Sequence, residues 1–388
     1  MKTNMKNFDF ILPTKIRFGY EIYKEIGKEV KELGRSKPII ITDKGLISAG
    51  VVDKITKKLE EEGIKEYVIF DSIEPNPKDI TVQKAYEEAK RYSVDCLIAI
   101  GGGSSMDTAK AVGVLMTHGG IINDYEGLNK ITKSIDNLIA IPTTVGTGSE
   151  VTFWSVITDT NRHYKMSIGS PLIAPKTALV DPLLVESLPS KIVASTGMDA
   201  LTHAIEGYTC TLSEPITDAC GIFAIKMLAE NIRDAVYTDS VDAKAKMLLG
   251  SLIAGICFGN SDIAGVHCMA EALGGLYDTP HGIANAILLP FVVEYNFVSD
   301  IDKFAEIAKA LGENIDGMSV RDAAYQSVAA LKKLNKDLMI PTINEIDAKI
   351  EDIEELAKRA SVNVSVGSNP RSVGEAEFLQ IFKRAFEA

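Results

Sequence analysis

Along the first half of the chain, short runs of Val, Ile and Leu alternate with longer stretches whose charged residues recur at a helical period. The runs at 38–41, 67–70, 96–100 and 138–141 present almost nothing polar, so each is expected as a strand buried on both faces. The stretches at 21–33, 51–62, 79–92 and 104–116 gather Ile, Leu, Val or Ala on one face and charges on the other, the pattern of an amphipathic helix. Strand and helix in alternation imply a mostly parallel sheet with crossover helices, a Rossmann-like α/β fold. A short strand at 15–18 would offer a sheet edge, and 155–157 and 178–180 are strand candidates within an irregular stretch at 151–180.

Beyond Asp181-Pro182 the β-branched runs stop, and helical periods take over at 195–212, 216–235, 243–258 and 283–295, with three more before the end of the chain. The expected organisation is an α/β domain over 1–182 and an all-α domain over 183–388. A chain of 388 residues exceeds what one hydrophobic core commonly serves, so two domains also fit its length.

Composition narrows the class. A hydrophobic fraction of 46% with 24% charged residues is that of a globular protein. The net charge of −12, with Lys and Arg scattered, speaks against nucleic acid or an anionic membrane as partner. Five cysteines, Cys96, Cys210, Cys220, Cys257 and Cys268, form no CxxC pair and read as reduced thiols of a cytoplasmic protein. The polar start of the chain and the short apolar run at 283–293, interrupted by Pro290, are not expected to target or span a membrane.

Two loops suit a nucleotide. The run Gly101-Gly102-Gly103-Ser104 joins a buried strand to a helix, where bare backbone N–H groups and the helix dipole attract phosphate. Its spacing is not GxGxxG, and a Gly triplet is also a plain tight turn. The second loop, Pro142 followed by Thr143, Thr144, Gly146, Thr147 and Gly148, sets hydroxyls among glycines and suits ribose and phosphate oxygens. Asp43, just past the strand at 38–41, can accept both ribose hydroxyls and would repel the extra phosphate of NADP, although a lone Asp there is also an ordinary helix cap.

A metal signal lies in the second half. Asp199 and His203 are four apart, which places carboxylate and imidazole on one helix face. His267 opens a small-residue helix, and His281 sits in a Thr-Pro-His-Gly turn fourteen residues later. Three nitrogens and one oxygen suit a divalent first-row ion such as Fe2+ or Zn2+. His118 and His163 lie in polar, turn-like surroundings and are assigned no role.

The segments GGGSSMDTAK, PTTVGTGSEVT, GMDALTHAIE and GVHCMAEALGGLYDTPHGIANAILLP, in that order, resemble the iron-containing (group III) alcohol dehydrogenases over essentially the whole chain. The resemblance implies hydride transfer between a primary alcohol or short diol and NAD(H), a catalytic metal with Fe2+ ahead of Zn2+, and a homodimer or larger homo-oligomer. By position it assigns Asp199, His203, His267 and His281 to the metal. To NAD it assigns Asp43, Asn76, Gly102, Gly103, Ser104, Asp107, Thr143, Thr144, Thr147, Thr152 and Lys165.

Two positions depart from the family pattern. Many members carry a second histidine one turn after the metal-binding one, to move the alcohol proton; here Glu271 stands there. It can carry the proton itself, pair with a cation, or leave the step to water and ribose. Phe153-Trp154 are bulkier than the residues of diol-acting relatives, so Trp154 is a candidate pocket wall, with Phe258 ahead of His267, or else interdomain core. The alternatives within the same superfamily are a dehydroquinate-synthase-like lyase, which would need a Lys and Arg cluster for phosphate in the helical domain, and a glycerol-dehydrogenase-like enzyme.

Overall fold

The computed structural model describes residues 7–162 and 164–388. The chain divides into two compact units, Pro13–Leu188, and Pro189–Ala388 together with residues 7–12.

In the first unit, β1 (Lys15–Phe18), β2 (Pro38–Ile41), β3 (Val68–Phe70), β4 (Cys96–Gly101), β6 (Leu138–Pro142) and β9 (Thr177–Val180) form one sheet in the order β1-β9-β6-β4-β2-β3. Every pairing in it is parallel. Alternate side chains explain why the runs of β2, β4 and β6 carry no polar position, whereas β3, at the sheet edge, is not buried on both faces as expected: Ile69 is exposed. Ile39, Ile41, Leu97, Ala99, Leu138 and Ala140 face helices Asp79–Arg91 and Gly103–His118. Ile40, Ile98, Ile100, Ile139 and Ile141 face helices Ile26–Glu32 and Val51–Glu61.

The irregular stretch is more ordered than its sequence suggests. β7 (Trp154–Asp159) and β8 (Tyr164–Gly169) pair antiparallel, and β5 (Gly127–Leu128) adds to β8, in a second sheet ordered β5-β8-β7. The expected strand at 155–157 is the middle of β7. β8 was not expected, because Lys165 is buried in it like an apolar residue. His163 lies outside the described residues.

The second unit is helical, with Ser190–Thr209, Pro215–Tyr237, Val241–Asn260, Gly265–Tyr277 and His281–Asn296 as its longer early helices. Four helices follow rather than three, the shortest being Ile353–Ser361. Gly207 allows close packing: a Cβ there would lie 2.8 Å from Cys257 Sγ and 3.1 Å from the Phe258 backbone, so only glycine lets these two helices approach so closely.

Pro290 does not end its helix. A proline has no N–H to give to the carbonyl four residues back, and that carbonyl, of Ala286, instead accepts from the Asn335 side-chain amide at 2.6 Å. His281–Ser299 is apolar and long enough to cross a membrane by composition. Its residues Ala284, Ile287, Leu288, Leu289, Val292 and Val293 are buried within the unit, as in a core helix.

Glu29 ties the edge of the main sheet to a helix: buried, it accepts from Arg17 at 2.6 Å, from Lys15 at 3.1 Å and from Thr177 at 3.2 Å. Burial pushes its carboxyl up, but these donors outweigh that and hold it below its ordinary value. A depressed folded value stabilises above the unfolded value, near 4.3, and that contribution fades as pH falls through the folded one. Glu29→Gln is therefore expected to cost roughly 1.5–3 kcal/mol at neutral pH. Urea melts of both proteins should show the difference full above about pH 5 and shrinking below about pH 4; a pH-independent difference would count against this account.

Candidate metal centre and cofactor loops

Asp199 and His203 project from one face of helix Ser190–Thr209, His267 from the first turn of Gly265–Tyr277, and His281 opens His281–Asn296 behind its cap, Pro280. One ligand atom from each lies within 4.8 Å of the others. The Nε2 atoms of His281 and His267 stand 3.6 and 4.0 Å from Asp199 Oδ1. Asp199, His203 and His267 are buried, and His281 is partly exposed.

Neighbouring side chains fix the rings. His267 Nδ1 meets Glu206 Oε2 at 2.5 Å, and Glu206 also accepts from the backbone N–H groups of Ala264 and Val266 at 3.0 and 2.6 Å. With its proton on Nδ1, His267 keeps the lone pair of Nε2 aimed at the cluster. The His203 ring stacks on Phe258 with centroids 4.2 Å apart and planes at 14°. Phe258 is thus a wall of this cluster, and it sets the plane of the His203 ring.

Burial would push the Asp199 carboxyl up; His203, His281 and His267 together with the Asn285 amide outweigh it and hold it below its ordinary value. Burial would push His267 down, and Glu206, Asp199 and Glu271 raise it on balance. The donors fit a cation. Asn285 Nδ2 donates to Asp199 Oδ1 at 2.7 Å and lies 3.1 and 3.2 Å from the Nε2 atoms of His267 and His281, so three lone pairs converge on one electropositive atom. The Oδ1 of the same amide is buried with no partner, a costly orientation that the pull of those lone pairs explains.

Glu271, one turn beyond His267, is half-buried, and its Oε2 accepts from Asn363 Nδ2 at 2.6 Å. Glu206 carried no assignment in the sequence, yet its spacing was available: 199, 203 and 206 are i, i+4 and i+7 on one helix.

The cofactor candidates lie in the first unit. β4 ends at Gly101, whose φ of +153° is seldom adopted by other residues, and Gly102 caps helix Gly103–His118. A Cβ on Gly102 would come within 3.0 Å of Thr144, and one on Gly103 within 2.9 Å of Thr147, so the Thr-Gly loop sits flush on the helix start. Thr143 N–H donates to Gly101 O at 3.0 Å and joins the two loops. Ser104 stands in the first turn of that helix.

Asp43 lies at the end of β2 and caps the short helix Lys44–Ser48, accepting from Leu46 N–H at 3.1 Å. Asn76, at φ +54°, accepts from Lys165 Nζ at 2.8 Å, which unites two candidates from distant parts of the chain. Asp107 and Thr152 are engaged by protein: Asp107 accepts from Ser149 Oγ at 2.8 Å and Val156 N at 3.0 Å, and Thr152 Oγ1 from Lys110 Nζ at 3.2 Å. Burial pushes the Asp107 carboxyl up, against Lys110 and these donors. The Trp154 ring covers Gly169, its partner across β7 and β8, where a Cβ would lie 2.5 Å from it.

A parallel nucleotide-type sheet with two phosphate-suited loops and a helical unit with an N₃O cluster are the parts a metal-dependent dehydrogenase needs. The profile of iron-containing alcohol dehydrogenase matches residues 13–182, and that of the Fe-containing alcohol dehydrogenase family, C-terminal, matches residues 193–386. The chain belongs to the iron-containing alcohol dehydrogenase family and is an NAD-dependent alcohol and aldehyde oxidoreductase. It is 41% identical to the 1,3-propanediol dehydrogenase of Citrobacter freundii, over 98% of this chain and 99% of that one. It is 40% identical to the NAD-dependent methanol dehydrogenase of Bacillus methanolicus, over 98% of this chain and 100% of that one. The crystal structure of a 1,3-propanediol oxidoreductase superposes with a TM-score of 0.96 at 41% identity, covering 98% of this chain and all of that one.

Glu206→Gln tests the ring-fixing carboxylate. A glutamine turns its NH2 toward groups that are themselves donors, so metal affinity should fall about 10–100-fold. Chelator competition on the metal-loaded protein reads this directly, and an unchanged affinity would remove Glu206 from the centre.

Proposed function

We propose that this dehydrogenase holds a divalent metal, Fe2+ in preference to Zn2+, on Asp199, His203, His267 and His281, and that residues 1–182 bind NAD while residues 183–388 carry the metal. The observation that carries the reading is the convergence of the four ligand atoms within 4.8 Å. Family membership and the single carboxylate oxygen in the donor set favour iron. When bound, the metal supplies Lewis acidity toward an alcohol or carbonyl oxygen and the nicotinamide accepts or returns the hydride.

The chain's own residues prepare that chemistry. Glu206 and Phe258 orient His267 and His203. Gly102, Gly103 and Ser104 offer the helix start to the pyrophosphate, with Thr143, Thr144 and Thr147 beside it. Asn76 and Lys165, already joined, bind the dinucleotide as a pair. Asp43 accepts the ribose hydroxyls and repels a 2′-phosphate. Asp107 and Thr152, beside these loops, complete the set of NAD contacts. Glu271, its Oε2 held by Asn363, takes and returns the hydroxyl proton.

The substrate is a short primary alcohol or diol, or the matching aldehyde, in line with what the relatives' names state. Assembly is a homodimer or larger homo-oligomer, for which the edge position of β1 offers a surface. A cytoplasmic setting agrees with five cysteines free of disulfides.

The test is NADH absorbance with a panel of short alcohols and diols on protein loaded anaerobically with Fe2+ or Zn2+. Turnover should vanish on chelation, return with metal, fall at least about 100-fold in His267→Ala, and be at least about tenfold weaker in kcat/KM with NADP. Full activity after chelation and in His267→Ala would defeat the metal assignment.

A further inference from the structure

Lys110 is fully buried in helix Gly103–His118, two turns beyond the candidate phosphate site. Its ammonium donates to Ser149 Oγ at 2.7 Å, to Thr152 Oγ1 at 3.2 Å and to Trp154 O at 2.7 Å. An ammonium has three N–H donors, and each has a protein acceptor here. Lys110 therefore does not reach a ligand itself.

All three acceptors lie on the segment that leaves the Thr-Gly loop and enters β7. From the same helix, one turn earlier, Asp107 holds that segment through Ser149 Oγ and Val156 N, and its carbonyl accepts from Ser155 Oγ at 2.8 Å. Ser149 N–H in turn donates to Thr147 Oγ1 at 3.2 Å, and Thr147 rests against Gly103. A chain of contacts thus runs from Lys110 through Ser149 and Thr147 to the helix start. Burial pushes the Lys110 ammonium down to about 8, against the pull of Asp107 and Glu150. Keeping a charge in such a place is costly unless it is fully hydrogen-bonded.

We propose that Lys110 is a positioning residue for the dinucleotide: it fixes the loop at 143–149 against Gly102 and Gly103 and so shapes the phosphate-binding surface without touching the phosphate. The proposal rests on the reading of these two loops as the NAD site.

Lys110→Met removes the donors at nearly constant length. NADH affinity by fluorescence titration and KM for NAD should both worsen about tenfold or more, as expected when binding groups are misplaced. KM for the alcohol and bound metal, read by elemental analysis, should stay unchanged, because every proposed metal ligand belongs to the other unit. A merely structural lysine would instead lower metal content and both KM-derived affinities together, and that outcome overturns the proposal. Ser149→Ala, a milder change, should weaken NADH binding about threefold, and Lys110→Met/Ser149→Ala should bind no worse than Lys110→Met alone. If Lys110→Met yields no folded protein, Ser149→Ala decides: weaker NADH binding at full metal content supports the proposal, and unchanged binding overturns it. A wild-type chain that binds no NADH overturns the reading of the loops. A wild-type chain that binds it, beside a folded Lys110→Met that binds it equally, overturns the role of Lys110 alone.

Discussion

Two carboxylates on one face of one helix, Asp199 and Glu206, are buried, and a low-dielectric interior accepts them only when every oxygen meets a donor or a positive centre. Glu206 satisfies this with two backbone N–H groups and an imidazole. Asp199 has the Asn285 amide on Oδ1, and the three imidazoles of the cluster stand around it. The helices of the second unit are arranged by that requirement: Gly265–Tyr277 must present its N-terminus to Glu206, and His281–Asn296 must bring Asn285 to Asp199.

The same constraint separates what could be read from the sequence from what could not. The main sheet was legible because Ile39 to Ile41, Ile98 and Ile139 serve two cores at once and leave no polar position in the run. The clustering of Asp199, His203, His267 and His281 was legible because histidine is rare in this chain and the spacing of Asp199 and His203 is helical. Burial of polar groups is what hid the rest. β8 carries Lys165 inward, and Lys110 occupies a core position on a helix whose neighbours are Ala109 and Ala111. A charged residue in a helical period reads as solvent-facing, and only tertiary structure shows the acceptors that meet it.

The first unit treats its glycines and threonines in a complementary way. Gly102 and Gly103 lack a Cβ where Thr144 and Thr147 need the space, so neither loop has its shape without the other. The hydrogen bond from Thr143 to Gly101 extends the order of the sheet into both loops. Rigid backbone at a helix start is what lets N–H groups act as a preorganised anion site rather than a flexible one.

Pro290 and Asn335 form a pair of another kind. The proline leaves the Ala286 carbonyl without its helical donor, and the asparagine, from helix Val320–Asp337, supplies one. The helix of Pro290 also carries His281 and Asn285. Neither residue is neutral to change by itself: losing the asparagine strands a buried carbonyl, and losing the proline makes the asparagine redundant. Across related chains the two positions should behave as one inherited character, exchanged together or kept together.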